Sequence, residues 1–412
     1  MYDLHLTVEQ LEFRETVRDF VDSEVKPAAL SPKRLEPFDK PLLLDVLEKA
    51  SQMGLRTLAL SEEAGGAGAD GLTSCIVLEE LGAGDVDVAV VLGQTATLAH
   101  TLFDRVMTPA QRARFLPKFA GDDRYHLAFA GRDPNAGLGW SYHRPLTAEA
   151  GAEPSAVRQG NDWVINGAIP FVANATVAKL FAVQVRADPK KSGLSTLLVP
   201  RDAPGLTVRE PLKAVGEAIR WHHGAGAGVA FKDCRVPADH LLGQEGRSPF
   251  ADGAEAVRGV PQLAAINLGL GRAAYEAAVD YAKLRRQGGR NIIEHQAIGT
   301  KLADCAIKLE LARNVIWKAA WTLDHPEAVA DRSVSELPFH VIARVYTAEA
   351  VNEVALLAAE CFGAMGVMRD MPLQKYVHDS MVFLHADDAD DAAKLAVAEA
   401  VAGFRRPAAD AA

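Results

Sequence analysis

The hydrophobic period of this 412-residue chain changes twice, from helical to alternating and back to helical, and few folds accommodate that order. Thr7-Val8-Glu9-Gln10 has the form of a capping box, and Phe13, Val17, Phe20 and Val21 follow at helical spacing, which predicts a helix ending at Pro27. Residues 42–53, 72–81 and 109–119 predict further helices, and the glycine-rich 62–68 predicts a loop between them. Near Tyr125 short β-rich runs take over, at Val157, 163–165, 180–185, 196–199 and 229–231. Turn signals at Asn166-Gly167 and Pro204-Gly205 separate them. After Val236-Pro237 helical spacing returns over 262–286, 295–323, 337–362 and 389–402. The expected layout is a helical domain over 1–121, a β domain over 122–240 and a helical domain over 241–412.

The last of these carries the most chemistry. Ile298, Leu302, Cys305, Leu309, Ala312, Ile316 and Ala319 recur at alternating steps of four and three, forming one stripe that a partner helix must cover. Just before it lies a basic turn, Leu284-Arg285-Arg286-Gln287-Gly288-Gly289-Arg290. The guanidinium forks of Arg285 and Arg286 suit phosphate oxygens, and the two glycines let backbone approach a bulky ligand. The pattern reads either as an anion site on an oligomer-forming helix or as a solvated helix end before a core helix.

Composition narrows the function. A formal charge of −10 argues against nucleic acid as a partner, because counterion release needs a basic face and only the patch at 285–290 is basic. Cys75, Cys234, Cys305 and Cys361 are far apart with no CxxC pair, so they read as buried thiols of a reducing compartment and no metal site is expected. No apolar run reaches the roughly 18 residues of a membrane span, and Met1 to Leu6 lacks a basic then apolar pattern, so the expected location is the cytoplasm.

Taken together, these segments resemble the acyl-CoA dehydrogenase family. The resemblance covers nearly the whole chain. It runs without a gap from Tyr281-Ala282 through Arg285 and Gly289 to His295-Gln296, then Leu302-Ala303-Asp304 and Leu311-Ala312-Arg313. Cys361-Phe362-Gly363-Ala364-Met365-Gly366 is similar to the family's flavin-contacting glycine turn, with Ala364 for a glycine, and Pro372 and 375–379 continue the match. It implies an α+β, mainly α fold: an N-terminal helical domain, a middle β barrel or sandwich, and a C-terminal four-helix bundle that builds a homo- or hetero-tetramer. It also implies FAD as cofactor, an acyl-CoA substrate, and an electron-transfer flavoprotein or similar acceptor. Positions matching Arg285 and Gln296 reach the pyrophosphate and adenosine part of FAD across a subunit contact, and Gly363 lies in the flavin turn.

Three segments depart from the family pattern. Where an acidic-threonine segment receives the flavin ring, the chain has 131–138, with Arg132 in place of a small hydroxyl. A cation there either stabilises negative charge on the reduced ring or fills the pocket. The aromatic segment over the flavin becomes Phe171-Val172-Ala173-Asn174-Ala175: Phe171 keeps the wall, and Ala173 offers only its backbone amide. Counting from Pro372 and Asp379 places Asp387 where relatives carry the catalytic glutamate. Burial would raise an aspartate towards neutrality, as a general base requires, but it is one methylene shorter. The alternative reading of Asp387, Asp388, Asp390 and Asp391 is a solvated helix N-terminus.

Other residues are weaker candidates. Arg258 is near the family position that helps hold the acyl-CoA, or is an exposed helix end. Gly224-Ala225-Gly226-Ala227-Gly228 lacks a following Lys-Ser/Thr and reads as a flexible β connection. His222-His223 has no third ligand at metal spacing, and His378 and His385 either tune the base or pack. The expected activity is FAD-dependent α,β-dehydrogenation of an acyl-CoA thioester, with Asp387 as base. The rivals are a catalytically silent subunit of a heteromeric dehydrogenase and a flavin monooxygenase on the same scaffold.

Overall fold

The structure is a computed structural model that describes residues 5–32, 41–131, 154–187, 193–209, 222–250, 259–385 and 391–402. Helix α1 (Val8–Phe20) opens with the expected capping box: the Gln10 N–H donates to Thr7 Oγ1 at 3.1 Å and the Thr7 N–H to Gln10 Oε1 at 3.0 Å. Contrary to expectation, Pro27 does not end it. A wide π-type turn over Val21–Val25 leads into a last turn, Lys26–Ala29, with Pro27 near its start, where a missing N–H costs little. Helices α2 (Leu44–Gln52), α3 (Gly71–Gly84) and α5 (Pro109–Ala120) fall close to their expected spans.

Helix α4 (Val86–Ala99), continued by a π turn over His100–Val106, has no counterpart in the sequence expectations. It is buried on most sides, so its residues are apolar almost all round and show no helical period. Two helices bear on the expectation that no membrane span is present. Val86–Val106 and Phe339–Val367 are long and apolar enough to cross a bilayer by length and composition, although 83% of the first window is packed inside the protein and 44% of the second. Scattered polar and small residues hide both from a search for unbroken apolar runs.

The middle of the chain forms two four-stranded sheets. One has the order β1 (His126–Ala130), β4 (Ala178–Val185), β5 (Ser195–Pro200), β8 (Leu241–Leu242), with β1 and β4 parallel. The other runs β2 (Ser155–Gln159), β3 (Asp162–Val172), β7 (Ala227–Pro237), β6 (Leu206–Val208), antiparallel throughout. Trp163, Ile165, Phe181, Val183, Val199 and Phe231 share the core between them, which makes the domain a sandwich. Pro204-Gly205 is a turn, as expected, with Gly205 at φ 89°. Asn166-Gly167 is not: it lies within β3, where the pairing slips between Ile165 and Gly167, so the glycine marks a bulge.

The C-terminal helices are α6 (Val260–Leu284), α7 (Gln296–Asp324), α8 (Phe339–Phe362), α9 (Leu373–His385) and α10 (Asp391–Ala402). The α7 stripe is buried from Leu302 through Ala319, and the helices that cover it, α6 and α8, belong to the same chain. Gly271 of α6 sits where a Cβ would meet the side chains of Leu309 and Val351. Ile307 and Leu311, on another face of α7, remain exposed.

Buried charges tie the terminal helical regions together. Glu80 of α3, 2% exposed, takes a fork from Arg272 of α6 at 2.7 and 2.5 Å and another from Arg18 of α1 at 3.2 and 2.7 Å. Burial alone would raise the Glu80 carboxyl, but these hydrogen bonds hold it below the usual range. Beside this pair α3 and α6 cross with their backbones in contact. A Cβ on Gly82 would come 2.3 Å from the Ile266 carbonyl oxygen, and one on Gly269 would come 2.1 Å from that of Glu79.

A second junction holds the end of β3. Asn174 is 1% exposed and left-handed at φ 61°, a conformation asparagine tolerates. Its amide reaches the Val91 carbonyl at 3.1 Å and Thr95 Oγ1 at 3.3 Å, both on α4, and the Leu127 carbonyl of β1 at 3.4 Å. Thr95 also contacts His126 Nδ1 at 3.2 Å, and burial pushes the His126 imidazole down to about 4.

Two outcomes follow for stability. Gly269→Ala should force α3 and α6 apart and lower stability by about 2 kcal/mol in denaturant unfolding. His126 stays neutral when folded but binds a proton when unfolded, so the stability it contributes is present above its ordinary value of 6.5 and is lost as pH falls to about 4. That loss should be about 3 kcal/mol, and His126→Gln should flatten that limb of the stability profile.

Candidate active site

A cavity of about 260 Å³ lies where α4, β1, the end of β3 and the start of α6 meet. Leu98, Leu127, Phe129, Phe250, Leu263 and Ile266 supply its apolar wall, and Ala173 borders it. Ala173 follows the last paired residue of β3, and its N–H has no hydrogen-bond acceptor among the described residues. The Asn174 junction fixes this donor at the edge of an apolar space. Phe171, half-buried, packs on the His222 ring at 4.9 Å.

The glycine run beside it is packed rather than flexible. Gly224 is left-handed at φ 75° and donates its N–H to the buried Asp87 at 3.0 Å. A Cβ on Gly226 would lie 2.2 Å from the Phe171 ring of β3 and one on Gly224 would lie 2.9 Å from Val90 of α4, so these glycines let the chain pass close to both the sheet and the helical layer. His223 is buried, with Nε2 3.0 Å from the Asp379 carbonyl oxygen, its ring 4.3 Å from Phe383 and Nδ1 3.7 Å from Asp87.

Helix α9 is anchored at the same place. Lys375, 1% exposed, bonds Asp379 at 2.9 Å and lies 3.9 Å from Asp85. Burial alone would lower the Lys375 ammonium, but the two carboxylates hold it above its ordinary value. The ammonium therefore stays charged and clamps α9 to the α3–α4 junction. Asp387, Arg132 and Arg258, expected as base, ring contact and acyl-CoA contact, lie outside the described residues.

Arg285, Gln296 and Gly363 form a separate group at the far end of the bundle. Helix α6 starts at the cavity with Val260 and runs 25 residues to Leu284, which sets the two ends about 37 Å apart. Arg285 caps α6, and its carbonyl oxygen accepts from the Ile292 N–H at 2.9 Å across a short hairpin of β9 (Arg286–Gln287) and β10 (Arg290–Asn291). Gln296 begins α7 just beyond. Tyr281 stacks on Phe362 at 4.1 Å, which brings the neighbouring Gly363, at φ 57°, to the same end. Arg285, Arg286 and Arg290 are exposed and have no carboxylate partner among the described residues.

These features fit the two ends of FAD. Three uncompensated guanidinium groups suit a pyrophosphate, and an unpaired amide beside an aromatic ring and an apolar cavity suits a flavin edge. One chain presents them about 37 Å apart, so the structure brings Phe171 together with Ala173 and Arg285 together with Gln296 and Gly363, but not one group with the other. Gln94 and Thr97 of α4, Thr101 of the π turn that continues it, and Gln262 of α6 also line the cavity and are not among the site residues expected from the sequence. The signal was a polar set at steps of three and four in an otherwise apolar segment.

Comparison with known proteins agrees with this architecture. Three family models match: "Acyl-CoA dehydrogenase, N-terminal domain" over residues 7–123, the middle domain over 147–225 and the C-terminal domain over 258–402. A probable acyl-CoA dehydrogenase of Bacillus subtilis is 28% identical, over 96% of this chain and 98% of its own length. The mitochondrial isobutyryl-CoA dehydrogenase of Dictyostelium discoideum is 27% identical over 95% of this chain and 89% of its own. In fold, the chain is similar to butyryl-CoA dehydrogenase from Megasphaera elsdenii, with a TM-score of 0.79, 24% identity and coverage of 97% and 100%. The chain belongs to the acyl-CoA dehydrogenase family of FAD-dependent oxidoreductases.

Proposed function

We propose that this chain oxidises the acyl group of a CoA thioester between Cα and Cβ, passing electrons on to an electron-transfer flavoprotein or a similar acceptor. The observation that carries the reading is the apolar cavity bordered by the unpaired Ala173 amide. Bound FAD supplies the two-electron acceptor for the β-hydride. The cavity walls hold the acyl chain and exclude water, and Phe171 flanks the site. Asp387, eight residues beyond Asp379 in sequence, removes the α-proton, and the buried Lys375–Asp379 pair holds the helix that precedes it. Arg132 would supply a cation at the flavin's pyrimidine edge, and Arg258 would help hold the CoA ester.

The separation along α6 supports an oligomer, a homo- or hetero-tetramer, in which Arg285, Gln296 and the Gly363 turn serve the cofactor of a neighbouring subunit. Domains over 1–121, 122–240 and 241–412 and a cytoplasmic location complete the reading.

Assay of a panel of acyl-CoA thioesters with an artificial electron acceptor tests this directly. Asp387→Asn should lower turnover by about a thousandfold with flavin retained, and Asp388→Asn should stay close to the unaltered rate. Full activity in Asp387→Asn would remove that residue as the base. Arg285→Ala should yield protein that has lost most of its yellow colour. Unaltered chain that is colourless alone and takes up flavin only with a second gene product would assign it to the silent-subunit role.

A further inference from the structure

The cavity beside Ala173 is bordered by a side-chain amide whose hydrogen-bonding capacity goes unmet among the described residues. It belongs to Gln94 of α4, and with neither end of the amide bonded its carbonyl oxygen or its NH2 group can face the cavity. One turn on, the Thr97 hydroxyl donates to the Gly93 carbonyl at 2.9 Å and also touches Gln262 Oε1. A hydroxyl has one proton to give. With that proton on Gly93, the Gln262 amide must turn its nitrogen to Thr97, which leaves its carbonyl oxygen as an acceptor.

Thr97 and Gln262 also line a second cavity of about 280 Å³, together with Ser74, His100 and Asp104. Ser74 is 2% exposed and its hydroxyl has no partner among the described residues. The carboxylate there is already satisfied: Asp104 accepts the Ser61 N–H at 2.9 Å and hydroxyl at 2.7 Å and contacts His100 at 3.0 Å. The unmet capacity is thus neutral and of both kinds, since an amide and a hydroxyl can each donate or accept, which favours a hydroxyl over a cationic or carboxylate group.

Resting on the thioester function proposed above, we infer that the acyl group this chain accepts carries a hydroxyl, which hydrogen-bonds the Gln94 side-chain amide at the boundary between the apolar cavity and the polar one beyond. An unsubstituted acyl chain would leave the same amide buried and dry.

Calorimetric titration of the purified flavoprotein with unreactive thioethers tests this without turnover. The probes are S-octyl-CoA and a series of S-(hydroxyoctyl)-CoA compounds with the hydroxyl moved along the chain. At least one hydroxylated member should bind about tenfold more tightly than S-octyl-CoA. Gln94→Leu should bring the two within about twofold by weakening the hydroxylated ligand. Gln94→Met replaces that variant if it does not fold. Equal binding of plain and hydroxylated thioethers by the unaltered protein would overturn the inference, as would an advantage that survives loss of Gln94. If no thioether of either kind binds, the thioester reading itself falls and takes this inference with it.

Discussion

The backbone contact between α3 and α6 at Gly82 and Gly269 sets the rest of the molecule. Once two helices cross this closely, neither can slide or rotate without carbonyl oxygen meeting carbon, so the direction of α6 is fixed against the N-terminal helices. The forks of Arg272 and Arg18 on Glu80 add a charge pairing that tolerates no other register. Everything chemical then hangs on the two ends of α6: its first turn walls the cavity, and its last turn delivers Arg285.

That geometry divides the work. At one end α4, β1 and β3 converge on a buried asparagine, and the strand corner it fixes presents an amide to an apolar space. At the other, three arginines are exposed with no carboxylate partner among the described residues. An extended anionic cofactor with a flat apolar head and a charged tail matches both chemistries. On the proposed reading the chain is half of each site, and association completes it. The exposed Ile307 and Leu311 on α7 leave apolar surface on the same bundle.

Much of this was legible in the sequence, for identifiable reasons. The α7 stripe was visible because one face is buried and the other is wet; its periodicity also gave the right buried residues from Leu302 to Ala319. Helix α4 was invisible for the opposite reason: buried on nearly every side, it has no polar face to set a period. With it went Gln94 and Thr97, polar residues whose meaning depends on a cavity that only tertiary packing creates. Pro27 misled because a wide turn absorbs its missing donor, and Asn166-Gly167 because a bulge uses the same residues as a hairpin. The basic turn at Arg285 stood out locally, but its distance from Ala173 is a property of the length of α6.

The most direct test of this account follows flavin and mass together. Sedimentation of the purified protein over a dilution series, monitored at the flavin absorbance band and at the protein band, should show flavin moving only with the oligomer and released as it dissociates. Flavin that sediments with a monomer would contradict the division of the cofactor site between the ends of two different α6 helices.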